Sequence, residues 1–340
     1  MTPHIDRRTF GTSAILVAAG GLLAACSSSS SPSASSTATP SSTPSVDLSS
    51  VTLNVGDQKG TGAEAVLTAA GLLSTLPFKV SWSDFTSGPP IMEAAASGSV
   101  DVGGVGDLPP VFAAAGGEAI TIVGARVAVN GDQDAILVPK GSSITSISEL
   151  KGKKIAYGSG SSANYQLLTV LKKAGLTTKD VTLVNLQPAE ALAAFTSGDV
   201  DAWGIWPPYV QYAQSLGATV IATGSDYGNP YSFQVASKAA VADTSKAAAL
   251  KVYLATLNKA YAWTANNTNA WATAWAKVAG YSISVMDKAA AIDKQTPVAI
   301  DSSVISSEQN LVDVCYAAGL IPSKIDITDY ITTQFNDTVS

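Results

Sequence analysis

The sequence is poor in the side chains that carry most enzymatic and metal-binding chemistry. Its 340 residues include one histidine, His4, and two cysteines, Cys26 and Cys315. His4 lies in a leader segment, so the mature chain has no imidazole for catalysis. Cys26 directly follows that segment and is expected to carry lipid, so Cys315 has no partner for a disulfide or a cysteine metal site. We therefore expect no metal, no cofactor and no catalytic residue, and we expect Cys315 to be a buried core thiol.

Positive charge is also scarce. The formal net charge is −6, and removal of residues 1–25, which contain Asp6, Arg7 and Arg8, changes it to −7 and leaves Arg126 as the only arginine. Binding to nucleic acid depends on clustered lysine and arginine, so this composition argues against a nucleic-acid partner.

The first 25 residues have the features of a signal peptide. A twin-arginine pair, Arg7-Arg8, precedes an apolar run at residues 11–25 that is shorter than the roughly 20 residues needed to span a bilayer. The segment Leu23-Ala24-Ala25-Cys26 matches a lipoprotein cleavage site. We expect lipid on Cys26 to anchor the protein at the outer face of a membrane; a generic signal peptide or a membrane anchor is the alternative.

Residues 26–45 consist almost entirely of serine, threonine, alanine and proline. Such a segment cannot bury enough apolar surface to fold, so it predicts a disordered tether between the lipid and the folded part. Residues 46–340 remain for the folded part.

One sequence plan occurs twice at a spacing of 100 residues. SGSVD at 97–101 leads through a short apolar segment to DLPP at 107–110, and SGDVD at 197–201 leads through a similar segment to WPP at 206–208. Each copy is typical of a helix end, a buried strand and a helix opened by proline. Matching strands, glycine-rich turns and helices precede both copies, which predicts two consecutive α/β units.

The chain crosses between these units twice, through apolar segments at 135–140 and 231–236. Two crossings between two lobes make a hinge and a cleft. We predict an α/β fold of two lobes, each a mainly parallel sheet flanked by helices, with residues 46–138 and 234–340 in lobe 1 and residues 139–233 in lobe 2. The helical aromatic pattern between residues 250 and 278 predicts helices that cover lobe 1.

Ligands of open α/β sheets bind beyond the carboxyl ends of the strands. This rule selects the loops at residues 56–60, 86–89, 106–108, 158–164, 187–188 and 206–209. Their glycines and serines suit an anion held by backbone amides and hydroxyls, although each loop could equally be a turn that needs glycine only for its geometry. Neither a Walker motif nor a dinucleotide fingerprint is present in them.

Charged and aromatic residues near these loops have two interpretations each. Asp107 is best placed to cap a helix, but in the cleft it would repel an anion or bind an amine. Lys59 and Arg126 could offset it, although solvated surface positions are commoner for such side chains. Trp206 and Tyr209 could pack the apolar body of a ligand or an interlobe core.

Four segments carry a family resemblance: WSDFTSGP at 82–89, GDLPPVFA at 106–113, LKGKKIA at 150–156 and VDAWGIWPPY at 200–209. They resemble the aliphatic sulfonate-binding proteins of ABC transporters, in a group that includes taurine, nitrate and thiamine-precursor binding proteins. The similarity extends from about residue 52 to residue 321. It implies a type II periplasmic binding protein, whose two lobes close over a ligand.

The resemblance also transfers pocket positions to this chain. With Arg126 and Tyr209 added from the residue patterns above, the candidate ligand-binding residues are Gln58, Ser87, Gly88, Asp107, Arg126, Gly160, Ser161, Ser162, Asn164, Trp206 and Tyr209. Two positions depart from the family: Pro207-Pro208 replaces an acidic residue and proline, and Leu108 replaces a threonine.

The combined expectation is a lipid-anchored, monomeric, extracytoplasmic receptor that delivers a small organic sulfonate or related oxyanion to ABC permease subunits. Asp107 and the scarcity of cations leave open a thiamine-precursor pyrimidine or an amine-bearing solute as the ligand. A sensory partner of a membrane kinase would share the fold. An enzyme on this fold would have to depend on a carboxylate such as Asp107 or Asp57.

Overall fold

The computed structural model describes residues 46–58, 62–129, 134–226 and 229–339. The predicted signal peptide, Cys26, the tether and Lys59 lie outside the described residues, so what the sequence indicates for them stays a prediction. Within the described ranges, no helix has both the length and the apolar character needed to cross a membrane.

The first α/β unit alternates strands and helices. It comprises β1 (Thr52–Gln58), α1 (Ala63–Ala69), β2 (Lys79–Phe85), α2 (Gly88–Ala96), β3 (Val102–Val105), α3 (Leu108–Ala115) and β4 (Ile120–Ala128). The second unit repeats this order after one additional strand. It comprises β5 (Ala135–Val138), β6 (Lys154–Tyr157), α4 (Ser162–Lys173), β7 (Thr182–Asn185), α5 (Pro188–Ser197), β8 (Ala202–Ile205), α6 (Tyr209–Ser215) and β9 (Thr219–Thr223).

The remaining chain returns to the first unit and is mainly helical. Its elements are β10 (Tyr231–Ser237), α7 (Lys238–Ala242), α8 (Thr244–Asn266), α9 (Thr268–Ala279), α10 (Ile283–Ile292), β11 (Gln295–Val298) and α11 (Ser302–Ala317). Local sequence explains several helix ends. The Asp243 carboxylate caps α8 by accepting from the amides of Ser245 and Lys246, and α5 ends at Gly198, whose φ of 82° is costly for a residue with a Cβ.

The two sheets have the same internal plan. The first has the order β11-β4-β10-β3-β1-β2 and the second β7-β6-β8-β5-β9, so β2-β1-β3-β10-β4 corresponds to β7-β6-β8-β5-β9. This correspondence confirms the repeat predicted from sequence. Both sheets are mixed, because β10 and β5 run antiparallel to their neighbours. The other strands of the repeated plan run in one direction, so their carboxyl ends meet at a single edge.

The predicted lobe boundaries misplace both crossing strands. β5 pairs with β8 and β9, so it belongs to lobe 2 although residues 135–138 were predicted in lobe 1. β10 pairs with β3 and β4 along its length, so residues 231–233 belong to lobe 1. The crossings therefore lie between β4 and β5 and between β9 and β10. An apolar run indicates a buried strand, but only its hydrogen-bonded neighbours decide which sheet it joins.

The long C-terminal helices cover the first sheet, as their aromatic spacing predicts. Tyr253 of α8 and Trp271 and Trp275 of α9 are buried in one cluster with Leu53 and Val55 of β1. The two tryptophan rings stack with centroids 5.0 Å apart. These helices make lobe 1 the larger lobe and place α8 and α9 beside the carboxyl end of β1.

Cys315 is fully buried in a separate cluster that includes Leu108 of α3 and Leu311 of α11. The sequence-based prediction of a core thiol is therefore confirmed. Burial also raises the pKa of the Cys315 thiol to about 12, which keeps it protonated at neutral pH and disfavours thiolate chemistry.

Candidate functional site

A cavity of about 120 Å³ lies between the two lobes, at the carboxyl ends of β1 and β3; we call it the inner cavity. Its lining residues are Asp57, Gln58, Gly62, Ala63, Val66, Gly88, Gly104, Val105, Gly106, Pro109, Arg126, Asp134, Ser161, Ser162, Trp206, Pro207, Ser232, Gln234, Tyr261, Thr264, Trp271, Asp293 and Gln295. The location agrees with the rule that ligands bind where helices follow parallel strands.

Arg126 is the only cation among the described residues that line the inner cavity. Sequence reasoning favoured a solvated position for this side chain, and that expectation is wrong, because Arg126 is only 6% exposed. Its guanidinium carbon lies 4.0 Å from the ring centroid of Tyr261, and its Nε donates to Gln295 Oε1 over 2.8 Å. Within the described residues, the buried Nη1 has no hydrogen-bond partner. Because a buried N–H donor without a partner costs free energy, this site favours a ligand that brings a hydrogen-bond acceptor to Nη1.

The two other partners of Gln295 determine which way its amide points. Gln295 Oε1 also accepts from the Ser232 hydroxyl over 2.8 Å, and Gln295 Nε2 donates to Asp293 Oδ1 over 2.9 Å. The amide oxygen is thereby directed at Arg126. This arrangement holds the guanidinium in place before any ligand arrives, which reduces the ordering cost of binding.

Neutral polar groups complete the donor set. Gln234 is 4% exposed, and neither its amide nitrogen nor its amide oxygen has a partner among the described residues. The side chain fits because residue 104 is glycine: a Cβ there would lie 2.7 Å from Gln234 Nε2. Ser162 begins the 12-residue helix α4 against the cavity, so the partial positive charge of that helix end faces the same space.

The described lining of the inner cavity also includes three carboxylates. Burial raises the pKa of Asp57 to about 6, although this carboxylate accepts from the amides of Gln58, Ala63 and Glu64. Burial likewise raises the pKa of Asp134 to about 7 and shifts the pKa of Asp293 upward. The cavity can therefore lose negative charge by protonation in the neutral pH range.

A second cavity, of about 330 Å³, lies beside the first; we call it the outer cavity. Its lining residues are Gln58, Asp84, Phe85, Thr86, Gln187, Pro188, Ala189, Trp206, Pro208, Tyr209, Val278, Ala279 and Tyr281. Gln58 and Trp206 line both cavities. Two further aromatic residues line the outer cavity: Tyr209 lies in edge contact with Tyr281, with ring centroids 6.3 Å apart.

The structure brings most of the predicted ligand-binding residues to these two cavities. The inner cavity contains Gln58, Gly88, Arg126, Ser161, Ser162 and Trp206, and the outer cavity contains Tyr209 and again Gln58 and Trp206. The binding role of each stays a prediction. The Ser161 hydroxyl donates to Gly158 O over 2.7 Å, so its own loop already uses that donor.

Four predicted residues line neither cavity: Ser87, Asp107, Gly160 and Asn164. Gly160 has φ 72°, and its amide donates to Oδ1 of Asn164 in the first turn of α4, so this side chain holds the turn that precedes the helix. Asp107 caps α3 by accepting from the Leu108 amide, as the helix-cap interpretation expects. Its carboxyl group lines a separate space of about 40 Å³ near the crossings.

Sequence reasoning missed several residues of the inner cavity. Ser232, Gln234 and Gln295 come from the returning strands β10 and β11, and Tyr261 belongs to the aromatic pattern that predicts helices covering lobe 1. One signal was present: Ser232 and Gln234 alternate with apolar Phe233 and Val235, as expected for a strand with one polar, cavity-facing side.

The lobes are in contact around the cavities. Thr86 and Ser87 of lobe 1 donate from their hydroxyls to Gln187 Oε1 of lobe 2 over 2.8 and 3.1 Å. At the inner cavity, a Cβ on Gly106 of lobe 1 would lie 2.9 Å from Ser162 Cβ of lobe 2. The structure therefore represents a closed arrangement of the two lobes.

Replacing Gln187 with alanine is expected to weaken ligand binding several-fold. The change removes two interlobe hydrogen bonds, each of which contributes about 0.5–1.5 kcal/mol, and it removes them only from the closed form. Calorimetric titration with a bound ligand would measure the change. Gln214, an exposed glutamine of α6, provides the control Gln214→Ala. An affinity equal to that of the control would show that these bonds do not bias closure.

Metal binding lacks support in the described ranges, where no group of three or more His, Cys, Asp or Glu side chains could hold a metal ion. The donor set described above instead suits a small organic molecule with an anionic end. Arg126, Gln234 and the start of α4 supply the positive side, and the outer cavity supplies apolar surface.

Comparison with known proteins agrees with this arrangement. The model of the NMT1/THI5 like family matches residues 87–270, more than half of the chain. A protein of Escherichia coli (strain K12) named for binding aliphatic sulfonates is 34% identical over 287 residues, which cover 82% of this chain and 88% of that protein.

Solved structures extend the likeness to the fold. The alkanesulfonate-binding protein SsuA from Xanthomonas axonopodis pv. citri, bound to MOPS, has a TM-score of 0.78 at 31% identity, covering 84% of this chain and 99% of that one. The periplasmic aliphatic sulphonate binding protein SsuA from Escherichia coli has a TM-score of 0.73 at 33% identity, covering 83% and 92%. These relatives are solute-binding proteins rather than enzymes. The chain therefore belongs to the NMT1/THI5 like family, as a homologue of the aliphatic sulfonate-binding proteins with the two-lobed type II periplasmic binding fold.

Proposed function

We propose that this protein is the extracytoplasmic receptor of an ABC importer and that it binds a small organic sulfonate in the inner cavity. The observation that carries the proposal is Arg126. Among the described residues that line this cavity it is the only cation; it is fixed against Tyr261 and Gln295, and its Nη1 has no partner in the same described part of the chain. Two solved homologues are an alkanesulfonate-binding protein and an aliphatic sulphonate binding protein.

A sulfonate group matches these donors in charge and in shape. Its three equivalent oxygens accept hydrogen bonds in several directions, and it stays ionised at any physiological pH. The guanidinium and the Gln234 amide line the inner cavity from lobe 1, and the N-terminus of α4 lines it from lobe 2. Charge-assisted hydrogen bonds of this kind are roughly twice as strong as neutral ones, and the low dielectric of a closed cleft strengthens them further.

Thermal unfolding of the folded part, residues 46–340, against a ligand panel tests this function. The panel contains alkanesulfonates, MOPS, taurine, sulfate, nitrate and pyrimidines. A ligand that binds only the folded state adds about 2.7 kcal/mol at 100 times its dissociation constant, which raises the unfolding temperature measurably. We expect a rise with sulfonates. A response confined to pyrimidines, or no response to any sulfonate, would contradict the proposal.

A second candidate ligand is an amine-bearing solute. Asp57, Asp134 and Asp293 line the inner cavity, where they would attract an ammonium group. Asp134 also lines the small space near the crossings together with Gln166, whose buried Oε1 has no partner among the described residues. Ethanesulfonate and taurine differ by one amino group, so comparing their affinities measures what these acceptors contribute.

The pH dependence of binding separates the two ligands. Asp134 has a pKa raised to about 7. Among the described residues, the acidic and basic groups that act on it or share its cavities are Asp57, Asp107, Arg126 and Asp293, and the phenols of Tyr231 and Tyr261 lie there too. Raising the pH from 5 to 8 ionises Asp134, so sulfonate affinity should fall and affinity for an amine should rise. If ligand binding shifts the pKa of Asp134 by one unit, the affinity for that ligand changes by up to about tenfold between pH 5 and pH 8.

The variant Asp134→Asn should make ligand affinity less dependent on pH. The same substitution should also change how the stability of the ligand-free protein depends on pH. Because the pKa of Asp134 is raised from 3.8 to about 7 by folding, the stability that its protonated form contributes is lost as the pH rises between these values. Titration calorimetry and denaturant unfolding at pH 5 and pH 8 would check both effects. An unchanged pH profile in Asp134→Asn would exclude this carboxyl group as the cause.

We also propose that the protein is attached to the membrane through lipid on Cys26. The cleavage pattern at residues 23–26 and the polar segment after it support this attachment. Cys26→Ser should move the protein from the membrane fraction to the soluble fraction and abolish labelling with radioactive palmitate. Retention of Cys26→Ser in the membrane fraction would favour a membrane anchor over lipid.

A further inference from the structure

All the lysines of lobe 2 lie at the end of its sheet that is opposite the cavities. β6, β7 and β8 are parallel, so they begin at this end and finish near the cavity residues Ser161, Gln187 and Trp206. Seven lysines occur between residues 134 and 226, and we call them the basic patch: Lys140, Lys151, Lys153, Lys154, Lys172, Lys173 and Lys179. Six of them are exposed and Lys153 is half-buried.

Hydrogen bonds bring the segments of the basic patch together. Gly152 N donates to Asp180 O over 2.7 Å, which joins the loop before β6 to the loop before β7. Lys154 N donates to Asp201 Oδ2 over 2.8 Å, which adds the loop before β8. The helix α4 begins beside the inner cavity and ends at Lys173, so its last turn reaches the same end of the lobe. The patch therefore collects lysines from four separate segments.

Fewer carboxylates lie at this end than lysines. They are Glu149, Asp180, Asp199 and Asp201, so seven lysines against four carboxylates leave an excess positive charge of three. Asp180 accepts from the Thr177 amide, and Asp201 accepts from the Lys154 amide, so the backbone already uses both. Lys151 Nζ lies 3.7 Å from Asp180 Oδ1, and an exposed ion pair of this kind neutralises little of the patch.

The repeat provides an internal comparison with lobe 1. Asn54 N donates to Asp101 Oδ2 as Lys154 N donates to Asp201 Oδ2, and Ala-Gly-Leu follows both α1 and α4. On this alignment, the six lysines from Lys151 to Lys179 correspond to Val51, Leu53, Asn54, Thr68, Ala69 and Thr75. The fold therefore forms without charge at these positions, and the lysines of lobe 2 need another explanation.

The composition of the basic patch favours a partner with many negative groups. No arginine occurs between residues 134 and 226. Arginine holds a single phosphate or carboxylate through two parallel hydrogen bonds, whereas lysine is a point charge on a flexible stem. Lysines spread over four segments therefore suit an extended anionic surface, such as a leaflet of anionic phospholipids.

The net negative charge of the whole chain does not prevent such a contact. Exposed charges are largely screened beyond about 8 Å at physiological ionic strength. The four-residue strands β6, β7 and β8 alone span about 13 Å at roughly 3.3 Å per residue, and lobe 1 lies beyond their carboxyl ends. A surface that touches the basic patch therefore interacts mainly with the patch.

We propose that the basic patch binds the anionic headgroups of the membrane leaflet to which the protein is attached. The choice of a membrane as the partner rests on the proposed attachment through Cys26, and the sulfonate site has no part in it. The tether predicted at residues 26–45 would keep the folded part close to the leaflet, which raises the effective concentration of a weak contact. The contact turns lobe 2 toward the membrane.

Co-sedimentation with vesicles tests the inference. Residues 46–340, which form one compact unit and carry no lipid, are mixed with vesicles of phosphatidylcholine alone or of phosphatidylcholine with phosphatidylglycerol. We expect binding to the anionic vesicles only. This binding should weaken between about 0.01 M and about 0.15 M salt, because the screening length falls from about 30 Å to about 8 Å.

Two triple variants with the same net charge make the test specific. The patch variant combines Lys154→Gln, Lys172→Gln and Lys179→Gln, three exposed positions. Its partition onto anionic vesicles should fall at least about tenfold, because each lysine near an anionic leaflet contributes up to about fivefold. The control variant combines Lys259→Gln, Lys277→Gln and Lys288→Gln, three exposed positions on α8, α9 and α10 of lobe 1, and should bind as the wild type does.

No binding to anionic vesicles at low salt, or equal losses in the two triple variants, would overturn the proposal. Binding only to membranes that contain ABC permease subunits would assign the patch to a protein partner and would overturn it as well. Sulfonate affinity should be unchanged in both variants, because none of their substituted residues lines a cavity. A failure of vesicle binding therefore leaves the sulfonate function standing, and a failure of sulfonate binding leaves this inference standing.

Discussion

Replacing Arg126 with alanine is expected to weaken sulfonate binding by more than 100-fold. Arg126 is the only cation among the described residues of the inner cavity, and the bound ligand charge would lose its buried counter-charge. Removing one partner of a buried ion pair costs about 3–5 kcal/mol, which corresponds to this loss. The remaining lining would still contain three carboxylates, so the variant cavity would repel the ligand at neutral pH.

Two further variants make this measurement specific. Arg126→Lys keeps the charge but loses the planar fork that reaches several oxygens, so an intermediate affinity is expected. Lys251→Ala removes an exposed cation of the same lobe, which pairs with Asp337, and should bind as the wild type does. Near-ultraviolet circular dichroism would verify that Arg126→Ala is folded. Wild-type affinity in folded Arg126→Ala would place the anion site elsewhere.

Replacing Gly106 with leucine is expected to weaken binding of every ligand by roughly 5- to 150-fold. A Cβ at this position would lie 2.9 Å from Ser162 Cβ on the other lobe, so a leucine side chain cannot fit between them. Overpacking of this kind costs about 1–3 kcal/mol, and here the cost falls on the closed form alone. The ligand must then supply that free energy before the lobes can close.

Small-angle scattering and calorimetry together would measure this effect. The wild type should contract on binding, whereas Gly106→Leu should contract less and bind more weakly with nearly unchanged unfolding temperature in the absence of ligand. Gly116→Leu is the control, because Gly116 ends α3 with φ −76° and the nearest atom to an added Cβ is 3.4 Å away. Full contraction in Gly106→Leu would show that closure does not require this close approach.

The sequence determined the repeated fold because the repeat is local. SGSVD and SGDVD each end a helix and start a buried strand, and proline opens the next helix in both copies. Backbone preferences of glycine and proline operate within a few residues, so these signals can be read without any tertiary contact. The matching plans of the two sheets confirm that interpretation. The apolar spacing of Tyr253, Trp271 and Trp275 likewise predicted their burial.

Local signals also located the loops of the cavity but not the roles of their residues. Gly160 and Asn164 belong to the selected loop 158–164, yet they bond to each other and shape the turn, while Ser162 beside them reaches the cavity. Glycine and asparagine serve turns and ligands through the same backbone freedom and the same polar atoms. Sequence therefore selected a loop that reaches the cavity, but it could not separate the structural residues of that loop from those that face the cavity.

The tertiary structure alone decided where charge and polarity meet. Arg126 is buried because β10, β11 and α8 bring Ser232, Gln295 and Tyr261 around it from more than 100 positions away in the chain. Long-range pairing also places the strand β5 in lobe 2, because its partners β8 and β9 lie many residues further along the chain. Residue patterns report the preferences of a segment for helix, strand or burial. The sequence thus determined a two-lobed α/β fold, and long-range pairing and packing decided that the described lining of its inner cavity contains one buried arginine and three carboxylates.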